Sequence, residues 1–305
     1  MVEPRLDAPL VVTVILNTNR REDTLAVLAS LSRSDYPKNH VIVLDNASTD
    51  GSVQAIQSEY PDVTLIALER NLGYAGNNNV GIQAALARQA DWVFILNEDT
   101  ILAPDCLSRL VDAGEQDARI GVLGPMVYHY DEQQVIQSAG GKMDRVWRAW
   151  HLCQNEVDRG QFPVPHEVDW ISGCALLVRR QVIEQIGALD ERFFYYWEET
   201  EWCLRARRQG WRIIHVPQAK LWHKGVQRNY RPSPSVTYYA TRNRFLLLAK
   251  HHAPLSAWLV AWTETLRTLL SWTFKPRWAS MRQHRDAMWQ GARDFLFQRW
   301  GMRPA

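Results

Sequence analysis

The stretches Val11–Asn17 (VVTVILN), His40–Asn46 (HVIVLDN) and Trp92–Asn97 (WVFILN) decide the fold of this 305-residue chain. Each is a short, nearly unbroken apolar run rich in β-branched residues, and each stops at a polar residue. A strand with one wet face alternates, whereas a strand apolar on both faces is covered on both, the habit of parallel sheets. Helical spacings lie between them: Leu25, Leu28 and Leu31 within Arg21–Ser34, then Ser52–Tyr60, and Asn77–Gln89 after a third strand at Val63–Leu68. This alternation predicts an open α/β sheet, mixed but mostly parallel. Right-handed crossovers then bring the carboxyl ends of these strands to one edge.

Polar residues gather at that edge. The first strand ends in Asn17-Thr18-Asn19-Arg20, the second in Asp45-Asn46-Ala47-Ser48-Thr49-Asp50-Gly51, the fourth in Asn97-Glu98-Asp99. Such residues also serve as caps and turns, which accounts for Asp50-Gly51. Three clusters at one edge, where open α/β sheets take their ligands, predict a binding site. Neither GxxxxGK[ST] nor a GxGxxG after the first strand is present, which argues against a P-loop kinase or a dinucleotide dehydrogenase. A chain 46% hydrophobic and 22% charged is neither disordered nor fibrous. Its four cysteines form no CxxC pair, and Met1–Leu10 has no signal-peptide pattern, so reduced thiols in a cytoplasmic protein are expected.

Further along, Gly121 to Trp170 reads as short strands and loops, with a turn at Ser138–Gly141. An apolar run at Ala175–Val178 precedes helices Gln181–Ile186 and Glu199–Gln209, closed by Gly187 and Gly210, and a strand at Trp211–Val216 is followed by a loop to His223. Between the two helices, five aromatics from Phe193 to Trp197 lead into Glu198, Glu199 and Glu201. Acids at a helix start are ordinary dipole partners. Packed under aromatics, a carboxylate is also desolvated and its pKa rises, as a general base requires.

In this order the segments resemble glycosyltransferase family 2, inverting enzymes with a GT-A fold, and within it the rhamnosyltransferase-like branch. The resemblance rests on Val11–Asn19, Asp45 to Ser52, Asn71 to Gly81 (NLGYAGNNNVG), Asn97-Glu98-Asp99, the block from Gly187 to Gly210, Leu221-Trp222-His223-Lys224 and Arg242-Asn243. It implies a donor nucleotide sugar held by Asn17, Thr18, Asn19, Asp45, Asn71, Gly73, Asn79, Asn97, Glu98 and Asp99. It further implies Mg²⁺ or Mn²⁺ on Asp99 and His223, Glu199 as general base, and an acceptor subsite including Asp190, Trp197 and Glu198. The departures are Asn97 where the metal motif opens with Asp, Glu199 in place of Asp, and Thr18 where an aromatic is common.

The implied activity is transfer of a sugar, rhamnose from dTDP-rhamnose in the first instance, with UDP-galactofuranose and UDP-hexoses as other donors. The acceptor is a lipid-linked or growing cell-surface glycan, such as one on a polyprenyl diphosphate. The alternative is a catalytically silent glycan-assembly protein that keeps the nucleotide pocket. The expected organisation is a catalytic domain over 1–250, its nucleotide half about 1–120 and acceptor half about 121–250, followed by a helical tail over 251–305. From Arg242 to Ala305 the chain carries 11 basic and 3 acidic residues, a balance of +8, against −6 for the remainder. Six of its 14 tryptophans lie there too. Leu255, Trp258, Leu259, Trp262, Leu266, Leu269 and Leu270 share one helical face, opposite Glu264, Arg267, Thr268, Ser271 and Lys275, and a second helix is expected from Trp278 to Trp300. Glu264 and Arg267 rule out a membrane span. Such helices pack on the catalytic domain or a partner subunit, or lie on an anionic membrane surface, placing the protein on the inner face of the cytoplasmic membrane. No nucleic-acid motif accompanies the charge. Oligomerisation is left open.

Overall fold

The computed structural model describes residues 8–304 of the chain. Its first third alternates as read: β1 (Val11–Asn17), α1 (Arg21–Leu31), β2 (Asn39–Asp45), α2 (Ser52–Glu59), β3 (Thr64–Ala67), α3 (Gly73–Ala87) and β4 (Trp92–Asn97). β1 pairs in parallel with both β2 and β4, and β2 with β3. Alternate residues of β1 explain its unbroken apolar run. Val11 and Ile15 join a core with Val27, Leu28 and Leu31 of α1, while Val12 and Val14 join another with Ala75, Ile82 and Ala85 of α3.

The chain continues through β5 (Thr100–Leu102), α4 (Cys106–Gly114) and β6 (Ile120–His129). The expectation of short strands after Gly121 is corrected here, because β6 is ten residues long and buried throughout. Short strands follow only later: β7 (Ile136–Ser138), the hairpin β8 (Gly141–Met143) and β9 (Ala149–His151), and β10 (His166–Glu167). β11 (Ala175–Arg179) inserts antiparallel between β4 and β6, making the sheet mixed, and helices α5 (Arg180–Ile186) and α6 (Glu198–Arg208) cover it. Since β11 starts opposite the end of β4, Ser172–Cys174 arrives at the ligand-binding edge.

β12 (Arg212–His223) runs parallel to β6 and corrects a second expectation. The expected strand stops at Val216, just before Pro217. The ladder instead absorbs it in a register irregularity between Val216 and Lys220, consistent with the confinement of proline to bulges. His223 is therefore the last residue of a strand, opposite Thr100, rather than a loop residue.

α7 (Pro234–Lys250), α8 (Leu255–Phe274) and α9 (Arg282–Leu296) complete the chain, with a 3₁₀ segment, Pro276–Met281, replacing the start of the expected second helix. α8 buries only part of the expected apolar face, together with small residues beside it. Ala257, Ala261 and Thr265 are buried against α7 and α9, with Trp258 and Trp262 stacked on Phe245. Glu264, expected to face solvent, joins Arg148 of the β8–β9 hairpin (2.8 Å to Nε) to Arg244 of α7 (2.8 Å). Leu255, Leu259, Leu266, Leu270 and Phe274 are left exposed, the first and last by 73% and 74%. No helix among the described residues is long and apolar enough to cross a membrane.

Candidate active site

The carboxyl ends of β1, β2, β4 and β12, the start of α3 and the start of α6 surround a cleft of about 710 Å³. Thr18, Arg20, Asn46, Asn71 and Gly73 line one side. At Gly73 the backbone has φ +75°, and a Cβ would overlap the Phe194 carbonyl and ring, so glycine is required twice over.

Several residues expected to hold the nucleotide hold one another here. Asn17 is fully buried: its Nδ2 donates to Asp45 Oδ1 (2.8 Å) and Ser48 Oγ (3.0 Å), and its Oδ1 accepts from Thr24 Oγ1 (2.9 Å). The second oxygen of Asp45 accepts from the Ser48 N–H at 3.0 Å, and Asn19 Oδ1 accepts from the Thr49 N–H at 2.8 Å. Asn79 stitches α3 to Leu189 through both the N–H and C=O of that residue. Asp190 caps the turn at Arg192 and pairs with Lys250 at 2.5 Å. Asn17, Asn19, Asp45, Asn79 and Asp190 thus shape the loops and do not line the cleft. Thr18, Asn71, Gly73, Asn97, Glu98, Asp99, Trp197, Glu198, Glu199 and His223 do.

Asp99 and His223 meet at 3.1 Å (Oδ1 to Nε2) and are both nearly buried. Gln137 Oε1 lies 3.0 Å from His223 Nδ1 and accepts a hydrogen bond from it, which fixes the ring with Nε2 aimed at Asp99 Oδ1. Beside them Gly225 leaves room that a Cβ would take, colliding with the Asp99 carboxylate and coming within 3.3 Å of His223 Nε2. Burial opposes ionisation of Asp99, but the His223 hydrogen bond and charge, with Arg20, hold it below the ordinary carboxylate value. Glu98 goes the other way. Burial first, then the Asp99 charge, push it up to about 7. A carboxylate and an imidazole oriented by its other nitrogen fit a divalent cation that takes its remaining ligands from phosphate and water. Among the described residues no set of three or more His, Cys, Asp or Glu gathers as a metal site.

At the same cleft α6 begins with Glu198 and Glu199. One oxygen of each is buried without a hydrogen-bond partner. Burial raises both pKa values, and the Glu199 charge raises Glu198 further, so burial outweighs the favourable helix N-terminus. Glu201 is different, because Arg205, Lys250 and His251 all pair with it and its pKa is held down despite burial. The cleft wall also includes residues the sequence reading passed over. Arg20, which ends the polar cluster after the first strand, is among them. Tyr74 donates to the Gly173 carbonyl (2.5 Å), and Trp150, Tyr195 and Tyr230 form aromatic walls. Only the general preference of sugars and bases for aromatic faces could have marked these.

The chain matches the Glycosyl transferase family 2 profile over residues 12–187. It is 32% identical over 279 residues to the N-acetylglucosaminyl-diphospho-decaprenol L-rhamnosyltransferase of Mycobacterium tuberculosis, covering 84% of this chain and 86% of that protein. It is 29% identical to the dTDP-rhamnosyl transferase RfbF of Shigella flexneri, covering 83% and 86%. Among solved structures it resembles the mannosyltransferase PcManGT of Pyrobaculum calidifontis in complex with GDP-Man and Mn²⁺ (TM-score 0.60, 17% identity, 95% of this chain and 88% of that one). TarS of S. aureus is similar to the same degree (TM-score 0.60, 16% identity, 95% and 81%).

Proposed function

The chain belongs to glycosyl transferase family 2, in its rhamnosyltransferase-like branch, and on that premise we propose that it moves rhamnose from dTDP-rhamnose, with inversion, to a sugar carried on a polyprenyl diphosphate. The fold is GT-A, and the protein is a glycosyltransferase. The observation that carries the reading of the site is one cleft lined by Asp99, His223 and Glu199 together.

Thr18, Asn46 and the Asn71–Gly73 turn line the cleft and would hold base and ribose, with Arg20 as a positive charge for the diphosphate. Asp99 and His223 would hold a divalent cation, which would supply Lewis-acid offset of the leaving group's charge; the similar mannosyltransferase is described with Mn²⁺. The acceptor hydroxyl approaches from the side of Glu198, Glu199 and the aromatic walls. Its oxygen bonds to the anomeric carbon as the carbon–phosphate-oxygen bond breaks, the electron pair leaves with dTDP, and the hydroxyl proton passes to Glu199. A single displacement inverts the centre. Glu199 suits this role because desolvation strengthens it as a base.

The exposed leucines of α8 and the basic turn beside them, with Lys275, Arg277 and Arg282, support peripheral attachment to an anionic membrane at its cytoplasmic face, where a lipid-linked acceptor resides. The test is turnover. Purified protein with Mn²⁺ is given dTDP-rhamnose, UDP-galactofuranose or UDP-glucose and a short-chain polyprenyl-diphosphate N-acetylglucosamine. Product with dTDP-rhamnose alone supports the proposal. Nucleotide binding without turnover of any donor would favour the silent assembly protein.

A further inference from the structure

The segment Phe193–Trp197, which delivers Glu198 and Glu199 to the cleft, has a backbone its own residues do not favour. Phe194 sits at φ 62°, ψ −56°, and the Tyr195 N–H donates to the Phe193 carbonyl at 2.7 Å. That is a γ-turn of the rare, strained form. Tyr196 and Trp197 follow at φ 69° and 75°, so three non-glycine residues within four positions have positive φ. Strain of this kind persists only where surrounding structure over-determines it.

Helix α7 supplies that structure. The Asn243 amide donates to the carbonyls of Phe193 (2.7 Å), Tyr195 (2.8 Å) and Tyr196 (2.8 Å). Its neighbour Arg242 is fully buried, and its guanidinium makes five hydrogen bonds. Nη2 donates to the carbonyls of Arg192 (3.0 Å) and Phe193 (2.9 Å), Nε to Asn243 Oδ1 (2.9 Å), and Nη1 to Tyr238 Oη (3.4 Å) and the Gly301 carbonyl (2.8 Å). The rings of Tyr238, Tyr239 and Trp300 stand 5.2–5.9 Å from the guanidinium carbon. The turn at Trp300–Gly301, far along the chain in the helical tail, therefore closes the pocket that grips the strained segment. On the opposite side the Phe194 carbonyl accepts from the Ala75 N–H at 3.3 Å, at the start of α3.

We infer that Arg242 and Asn243 are positioning residues, which together with the Trp300–Gly301 turn hold Phe193–Trp197 in the one conformation that presents Glu199 to the acceptor. The inference rests on Glu199 as the base in the function proposed above. Neither residue lines the cleft, so their effect on the reaction runs through the segment they hold. A lysine at 242 keeps the charge but has three donors from one nitrogen, which cannot span Arg192, Phe193 and Gly301 together.

The test compares Asn243→Ala, Arg242→Lys, Trp300→Ala and Trp300→Phe with the wild type in the full chain. The readouts are amide hydrogen exchange, dTDP affinity with Mn²⁺ by calorimetry, and kcat with acceptor KM. Expected for the first three is Tyr195 amide exchange faster by about tenfold or more, unchanged exchange in β1 and β4, and kcat lower by about tenfold or more with dTDP affinity within about twofold. Trp300→Phe, which restores a ring over the guanidinium, should recover most of both losses. Unchanged Tyr195 exchange would overturn the grip, and faster exchange with unchanged kcat would overturn its role in positioning. Should Asn243→Ala fail to fold, the Arg242 and Trp300 variants decide on the same readouts. Exchange does not require sugar transfer. A wild type without turnover thus counts against the proposed function, while the grip on the segment is judged by exchange alone.

Discussion

Replacing Glu199 and Glu198 in turn by glutamine should have unequal effects, and the structure says which is larger. The two carboxyls open one helix, are desolvated together, and each has an oxygen without a partner. Two like charges so placed ionise in separate steps. Burial raises both, but two backbone N–H groups bond Glu199 against one for Glu198, which favours ionisation of Glu199 first, and the charge so formed lifts Glu198 further. An amide at 198 copies the protonated acid already there, and Glu198→Gln should change kcat by less than about tenfold, the weight of one pKa unit. An amide at 199 removes the base and should lower kcat by about 10²–10⁴-fold, or about 2.7–5.4 kcal/mol of transition-state stabilisation. The assay is release of nucleotide from the preferred donor across pH. In the wild type kcat/KM should fall as pH drops through a value well above the ordinary carboxylate range, since the ionised form is the active one. The stability sign is opposite. A raised folded pKa means that the proton's contribution is fully present below the unfolded value and lost as pH rises through the folded one, so Glu199→Gln should melt higher than wild type at alkaline pH and equally at acid pH. Equal losses from the two substitutions, or a larger loss at Glu198, would refute the assignment.

Three further outcomes follow. Asp99→Ala should abolish the gain in dTDP affinity that Mn²⁺ gives over EDTA, and Gly225→Ala should reduce it by pressing on the Asp99 carboxylate; calorimetry with and without metal reads both. Gly73→Ala should destabilise the protein by about 1–3 kcal/mol from its positive φ alone, and an unchanged melting temperature would contradict the close approach to Phe194. Leu259→Asp with Leu266→Asp should release the protein from phosphatidylglycerol vesicles without altering its melting temperature, because both side chains point away from the core; undiminished sedimentation would remove the membrane from the account.

Much of the sheet was legible because β1, β2 and β4 carry their burial on both faces in composition alone, as VVTVILN does. β12 was not, since a proline reads as a stop and only a pairing partner can show that a bulge absorbs it. α8 misled for a related reason. Leucines dominate a hydrophobic pattern, yet the close contact with α7 and α9 is made by Ala257 and Ala261, whose small size permits it. In the site, residue type and order brought Asp99, His223, Glu198 and Glu199 to one cleft. Asn17 and Asp45 were harder to judge, because an asparagine that binds a ligand and one that ties a loop look the same until their hydrogen bonds are counted. Gln137 orients His223 from far away in sequence and no local pattern announces it, whereas the Arg242-Asn243 pair was visible as a motif but its hold on Phe193 was not.

Glu264 links three parts of the chain that would otherwise answer to different forces. Through Arg148 it is braced to the hairpin that carries Trp150 on the cleft rim, and through Arg244 to the helix that grips the loop before Glu198. A lipid surface bearing on the leucines of α8 would therefore load the rim and the helix behind the catalytic loop together, as a keel transmits water pressure to the hull above it. Landing on the bilayer and aligning the acceptor would then be one mechanical event, and a protein free in solution would turn over a water-soluble acceptor more slowly than the same protein resting on lipid.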